Sequence, residues 1–150
     1  MIASVLASVL ALATTVAPAG AALSLDRMSS GTPGSRWEVL GVGGERAPRR
    51  SKAPAATLFM GADGTIGGTW ECNSGGSAYM RWTRAGAFTG TGGPIIFTVM
   101  GCPAKDGKNF AARFWQLMGK ASRWERAGKL LTIRASDGTT AQLRLMSEVR

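Results

Sequence analysis

The sequence contains no histidine, and only nine of its 150 residues are acidic. Histidine is the commonest general base and the commonest metal ligand in proteins, so two large classes of site lose their usual central residue. The few carboxylates are not clustered, which leaves a paired-carboxylate mechanism without candidates. We therefore expect a protein that is not an enzyme and that binds no metal or other cofactor.

Cysteine is also scarce, because Cys72 and Cys102 are the only two. Two thiolates without histidine cannot complete a tetrahedral zinc site, which disfavours structural zinc. In an oxidising compartment an even pair predicts a disulfide. Closing a loop of about 30 residues in this way stabilises a fold by roughly 3–4 kcal/mol. The alternative is a pair of buried free thiols.

Charged side chains are absent from the first 22 residues. The apolar run 2–16 is shorter than a membrane-spanning helix, and small residues with the A-x-A spacing of a cleavage site follow it. We predict a signal peptide over 1–22 and a periplasmic or secreted mature protein without a transmembrane span. An uncleaved anchor is the alternative. No cysteine follows the apolar run closely, so a lipid-modified cysteine at the cut site is excluded.

Positive charge is abundant, and the formal net charge is +9. A basic protein can bind nucleic acid, an anionic membrane or an anionic polymer of the envelope. The densest basic group consists of Arg46, Arg49, Arg50 and Lys52, which form a candidate anion-binding site. The alternative is a solvated loop on a soluble basic surface. Predicted export disfavours nucleic acid as the partner.

Glycine is frequent, with 21 residues, and short segments alternate apolar with polar side chains, which favours many short strands joined by turns. The predicted strands are 36–40, 57–60, 65–70, 78–83, 95–98, 121–126, 129–134 and 140–146, with a further short one at Phe88. Two Asp-Gly pairs, at 63–64 and 137–138, indicate hairpin turns. The strand glycines Gly67 and Gly68 indicate a bulge or a close backbone approach. Segments 41–54 and 72–77 are predicted to be loops.

One helix is expected after Pro103, with Asp106 as its cap and Gly119 at its end. Large apolar residues recur on one face at helical spacing, which indicates packing against one side or end of the sheet. They are Phe110, Phe114, Leu117 and Met118. Asn73 is expected to adopt a left-handed backbone or to bond its own chain, with a ligand contact as the alternative. Met100 is expected in the core.

The order of these segments resembles the META domain, also called the HslJ-like family. Its Cys-Asn pair and its T-x-M-x-C motif occur here in the family order, and the resemblance spans about 35–146. The residues that carry the motif are Trp37, Cys72, Asn73, Tyr79, Thr98, Met100 and Cys102. The chain departs from the family at Glu71 and Ser77, where glycine is common.

The resemblance implies a mainly β (α+β) fold, a small partly open antiparallel β-barrel or curled sheet with one packed helix. The predicted organisation is a signal peptide over 1–22, a flexible lead-in over 23–34 and the domain over 35–147. The family consists of bacterial envelope or secreted domains linked to stress and antibiotic tolerance. We expect an accessory protein that binds a hydrophobic ligand, a lipid or an envelope protein at the barrel mouth. The alternatives are a basic module that binds anionic envelope polymers and an inhibitor of a secreted hydrolase.

Overall fold

The computed structural model describes residues 34–48, 53–100 and 108–149. These residues form ten strands and one helix. The elements are β1 (Gly34–Val42), β2 (Glu45–Arg46), β3 (Ala56–Gly61), β4 (Thr65–Trp70), β5 (Asn73–Trp82), β6 (Phe88–Thr89), β7 (Ile96–Phe97), α1 (Lys108–Met118), β8 (Ala121–Ala127), β9 (Leu130–Ala135) and β10 (Thr140–Val149). The predicted signal peptide and most of the predicted lead-in lie outside the described residues.

The strands form one antiparallel sheet in the order β6-β5-β4-β3-β1-β10-β9-β8. Strand β2 pairs with β1, and β7 pairs with β5. The two ends of the sheet meet at a bridge between Ala87 and Arg123, without a continuous ladder. The sheet is therefore a nearly closed eight-stranded barrel with an unsealed seam. This confirms the predicted partly open antiparallel barrel with one helix.

The two Asp-Gly hairpins form as predicted. In each, the aspartate Oδ1 accepts a hydrogen bond from the backbone N–H two residues later, at 3.0 Å for Asp63 and 2.9 Å for Asp137. Gly64 and Gly138 adopt φ angles of 86° and 85°, a region that glycine enters without steric cost. The hydrogen bonds from Thr139 also hold the pKa of the Asp137 carboxyl below its usual range.

The core fills the barrel with alternate strand residues and the apolar face of α1. The largest fully buried side chains are Trp37 and Phe114. The four predicted apolar helix residues are all buried, and Trp115, which the prediction omitted, is buried beside them. Trp115 can be buried because its indole N–H donates to Thr69 O at 3.1 Å. The helix ends at Met118, directly before Gly119 as predicted, whereas Asp106 lies outside the described residues.

Gly68 allows α1 to approach the sheet closely. A Cβ atom at this position would lie 2.0 Å from Thr57 O and 2.8 Å from Trp115 Cζ2. Neither distance is possible for a real side chain without movement of the β3 backbone. The prediction of a close backbone approach is thus confirmed at Gly68.

The predicted loop over 72–77 is wrong, because β5 already begins at Asn73. Its glycines lie against neighbouring strands: a Cβ on Gly75 would lie 1.9 Å from Ile96 O, and one on Gly76 would lie 2.4 Å from Ile66 O. Adjacent glycines usually indicate a turn, but here they permit tight strand contact. The predicted loop over 41–54 likewise contains the short strand β2.

Ser77 organises a bulge within β5. Opposite β4 the register passes from Ile66–Ser77 directly to Thr65–Arg81, so three residues of β5 have no partner there. The Ser77 hydroxyl, 2% exposed, accepts hydrogen bonds from the backbone N–H groups of Tyr79 at 3.2 Å and Met80 at 3.1 Å. One side chain therefore satisfies two amides that the ladder leaves unpaired.

No helix in the described ranges has the length and apolar character needed to cross a bilayer.

We expect Ser77→Ala to lower the free energy of unfolding by about 1–3 kcal/mol, because it leaves two amides in the bulge without an acceptor. Urea denaturation followed by tryptophan fluorescence measures the change. The exposed Ser136→Ala is the control and should change stability by less than about 0.5 kcal/mol. Equal effects of the two substitutions would contradict the role of Ser77.

We expect Gly68→Ala to destabilise the fold by about 1–3 kcal/mol, because the new methyl group meets a backbone oxygen that cannot rotate away. Gly119→Ala is the matched control, since its Cβ would lie 3.4 Å from its nearest neighbour, at an ordinary contact distance. Thermal unfolding of both variants measures the difference. A Gly68→Ala variant as stable as the control would refute the close approach.

Candidate functional site

Asn73 fastens two segments that lie far apart in the sequence. Its side-chain oxygen accepts hydrogen bonds from the backbone N–H of Met100 at 2.7 Å and from the Thr98 hydroxyl at 3.3 Å. The Thr98 hydroxyl in turn accepts from the backbone N–H of Ser74 at 3.1 Å. The Cys-Asn pair and the T-x-M-x-C motif therefore meet in space, and Asn73 bonds its own chain.

The left-handed backbone of this region lies at Glu71 and not at Asn73. Glu71 has a φ of 56° and is the only residue other than glycine with a positive φ among the described residues. Its backbone N–H donates to Ala55 O at 3.0 Å, which holds the turn against the segment before β3. The geometry explains why glycine is common at this position, since other residues pay a steric cost there.

The sulfur of Cys72 is not a free thiol. Cys102 lies outside the described residues, so the pairing of the two cysteines stays a prediction. It is supported by position, because Met100 contacts Asn73, the residue next to Cys72. Two residues further along, the chain is within the Cα separation that a disulfide requires.

The other motif residues differ in exposure. Trp37 is 1% exposed and belongs to the core, whereas Tyr79 is 63% exposed. The expectation that Met100 is in the core is wrong: its side chain is 55% exposed, because Met100 follows β7 in irregular chain at the surface. Only its backbone contributes to the contact with Asn73.

The predicted basic site is only partly within the described structure. Arg46 lies exposed on β2 and borders a surface cavity of about 880 Å³. The remaining members, Arg49, Arg50 and Lys52, lie outside the described residues. The anion-binding role of this group therefore stays a prediction.

A second cavity, of about 290 Å³, opens at the mouth of the barrel where the seam approaches the start of β1. Its lining combines three indoles with three charged groups. The residues that define it are Trp37, Trp82, Trp124, Arg84, Arg126 and Glu148. We call it the mouth pocket.

The indoles of the mouth pocket are fixed by hydrogen bonds to the barrel. The Nε1–H groups of Trp82 and Trp124 donate to Gly61 O at 2.7 Å and Thr83 O at 3.0 Å, and that of Trp37 donates to the Ser35 hydroxyl at 2.8 Å. The rings of Trp82 and Trp124 meet edge to face, with centroids 5.6 Å apart. Because their polar atoms are already engaged, the indoles offer apolar surface to the pocket.

The charges of the mouth pocket do not cancel. Arg126 lies 5.2 Å above the centroid of Trp37 and forms an ion pair of 3.0 Å with Glu148. Arg84 is exposed and makes no ion pair with any other described residue. One guanidinium therefore remains uncompensated beside an apolar wall.

Sequence reasoning expected a binding site at the barrel mouth but did not name Trp82, Trp124 or Arg84. The available signal was one tryptophan near the seam end of each of two predicted strands, 78–83 and 121–126. Their convergence depends on the sheet curling until β5 and β8 meet. Within the described ranges no three metal-binding side chains cluster, and the absence of enzymatic activity stays a prediction.

The model of the META domain family matches residues 11–148. The chain belongs to the META domain family. The match includes nearly all of the described structure and begins within the segment predicted as a signal peptide. No curated protein matches the sequence significantly.

Solved structures show the same fold at low sequence identity. A protein structure determined by NMR is 18% identical, with a TM-score of 0.52 over 74% of this META domain chain and 88% of that chain. An NMR structure of a protein from Burkholderia xenovorans is 16% identical, with a TM-score of 0.49 over 91% and 96% of the two chains. A crystal structure of a DUF4847 family protein from Bacteroides vulgatus ATCC 8482 is 12% identical, with a TM-score of 0.45 over 79% and 95%.

We expect the Glu71→Gly variant to be more stable than the Glu71→Ala variant by about 1 kcal/mol. Both remove the same side chain, and only alanine pays for the left-handed backbone. Guanidinium denaturation of the two variants measures the difference directly.

The matched pair is Glu125→Gly and Glu125→Ala on the exposed strand β8, where φ is not positive. There we expect the opposite order, because glycine weakens a strand interior. The same order at both positions would show that the backbone at Glu71 is not the cause.

Proposed function

We propose that this META domain protein is a non-enzymatic accessory protein of the bacterial envelope that binds an apolar ligand in the mouth pocket. The observation that carries the proposal is the convergence of three hydrogen-bonded indoles on one cavity of about 290 Å³. Ligand sites are concave and mostly apolar, with a few placed polar groups, and the mouth pocket has this composition.

The size of the cavity favours a small molecule over a protein partner. Its volume is close to the lower end of the range for small-molecule sites, roughly 300–1,000 Å³. A protein interface, in contrast, requires a broad surface of about 800 Å² on each partner. Half-buried Trp82 and Trp124 supply large apolar area at low entropic cost, since the barrel already fixes their rings.

The envelope location is supported by the predicted signal peptide over 1–22 and by the predicted bridge between Cys72 and Cys102. Periplasmic or secreted proteins retain such bridges, because their compartment is oxidising. A ligand-binding domain in the envelope would lower the free concentration of an apolar toxic compound. This connects the proposal to the stress and antibiotic tolerance that the family resemblance implies.

A second candidate function is binding of anionic envelope polymers. Arg123 and Arg134 are directly opposite each other on β8 and β9, and neither makes an ion pair with another described residue. Like charges in this arrangement repel, which stabilises an anion placed over them. Binding of this kind weakens steeply with salt, whereas binding in the mouth pocket should not.

The test uses the neutral fluorescent probe N-phenyl-1-naphthylamine with the full chain. We expect saturable binding of one probe per chain, nearly independent of salt, that Trp124→Leu weakens at least about tenfold through loss of ring contact and apolar area. Fluorescence titration at low and high salt gives the affinity and the stoichiometry.

The control is Trp70→Leu, which removes an indole from a ring cluster outside the mouth pocket. It should leave the affinity within about twofold of the wild-type value. Circular dichroism of both variants shows whether the fold is retained. Unsaturable binding, or equal losses in the two folded variants, would refute the proposed site.

A further inference from the structure

We infer that the ligand of the mouth pocket is a flat aromatic monoanion, an aryl carboxylate of one or two fused rings whose carboxylate pairs with Arg84. The inference rests on the proposed function, and it adds the charge and the shape of the ligand. Its starting observation is a single uncompensated guanidinium beside fixed indole rings.

Arg84 is held in place by a tight turn between β5 and β6. The backbone N–H of Gly86 donates to Thr83 O at 3.1 Å, and the backbone N–H of Thr83 donates to Ala87 O at 2.9 Å. The Thr83 hydroxyl also accepts from the backbone N–H of Ala87 at 3.2 Å. Because each neighbour of Arg84 is bonded, the base of its side chain has a defined position at the pocket rim.

The same turn is fastened to the pocket wall. The backbone N–H of Trp124 donates to Gly86 O at 2.9 Å, and its indole N–H donates to Thr83 O at 3.0 Å. These two hydrogen bonds fix the distance between the Arg84 turn and the Trp124 ring. A ligand can therefore contact the ring and the guanidinium together without a conformational change.

The charge distribution selects an anion. Arg126 already pairs with Glu148 and donates through Nε to Gly128 O at 2.9 Å, so its donors are largely engaged. Arg84 has no such partner among the described residues. A guanidinium binds a carboxylate through two parallel hydrogen bonds, which an alcohol or an amine cannot reproduce.

The arrangement of the rings selects a flat ligand. Trp82 and Trp124 meet at an interplanar angle of 77°, which forms a corner that offers one ring face and one ring edge. Aromatic ligands gain from both offset-stacked and edge-to-face contacts, by about 0.5–1.5 kcal/mol beyond area burial. The fixed indoles cannot repack around a flexible acyl chain, and the cavity is too small for a phospholipid.

The experiment compares 2-naphthoate with its neutral analogue 2-naphthalenemethanol and with octanoate, using isothermal titration calorimetry on the full chain. Nitrogen-15 NMR of the indole N–H groups reports which tryptophans respond. We expect 2-naphthoate to bind at least about tenfold more tightly than either comparator, with shifts at Trp82 and Trp124.

The decisive variant is Arg84→Gln. It should lower the affinity for 2-naphthoate about tenfold and leave the affinity for 2-naphthalenemethanol unchanged, because only the carboxylate uses the charge. Arg134→Gln removes the same charge from β9, outside the pocket, and should leave both affinities unchanged.

The outcomes separate the two proposals. Equal affinity for 2-naphthoate and 2-naphthalenemethanol, with shifts of the pocket indoles, would overturn the anionic ligand and retain the apolar site. Tighter binding of octanoate would overturn the flat ligand. Equal effects of Arg84→Gln and Arg134→Gln would overturn the pairing with Arg84. Failure of every probe to shift Trp82 or Trp124 would overturn the proposed function itself.

Discussion

The architecture of the binding site depends on one contact, the docking of the turn at 83–87 against Trp124 across the barrel seam. Two hydrogen bonds, from the backbone and the indole of Trp124, join strands at opposite ends of the sheet order. Without them β6 and β8 would be ordinary sheet edges. With them, Trp82 and Trp124 form a corner and Arg84 is placed beside it. The unsealed seam and the mouth pocket thus have a common origin.

A second constraint acts at the junction of the family motifs. The Asn73 oxygen joins the start of β5 to the segment after β7, which anchors the short strand that covers Gly75 and Gly76. These hydrogen bonds give the Cys-Asn pair and the T-x-M-x-C motif a structural role. The departure at Ser77 also has a structural reason, since its hydroxyl satisfies two amides of the bulge.

Much of the fold could be predicted from the sequence, because its signals are local. Period-two alternation and the Asp-Gly turns located the hairpins, and the apolar spacing after Pro103 located the helix. Errors arose where one residue type serves two purposes. Gly75 and Gly76 resemble a turn but permit strand contact, and Trp115 was omitted from the apolar face although a hydrogen bond to Thr69 permits its burial.

The sequence by itself determined the β-rich class, the hairpin positions, the basic charge and the lack of histidine. Only the tertiary structure decided which tryptophans share a pocket, which arginine remains uncompensated there and that the left-handed residue is Glu71. The physical reason is range. Turn and strand preferences are set by neighbouring residues, whereas the mouth pocket combines β1, β5, β8 and β10, which come together only when the sheet curls.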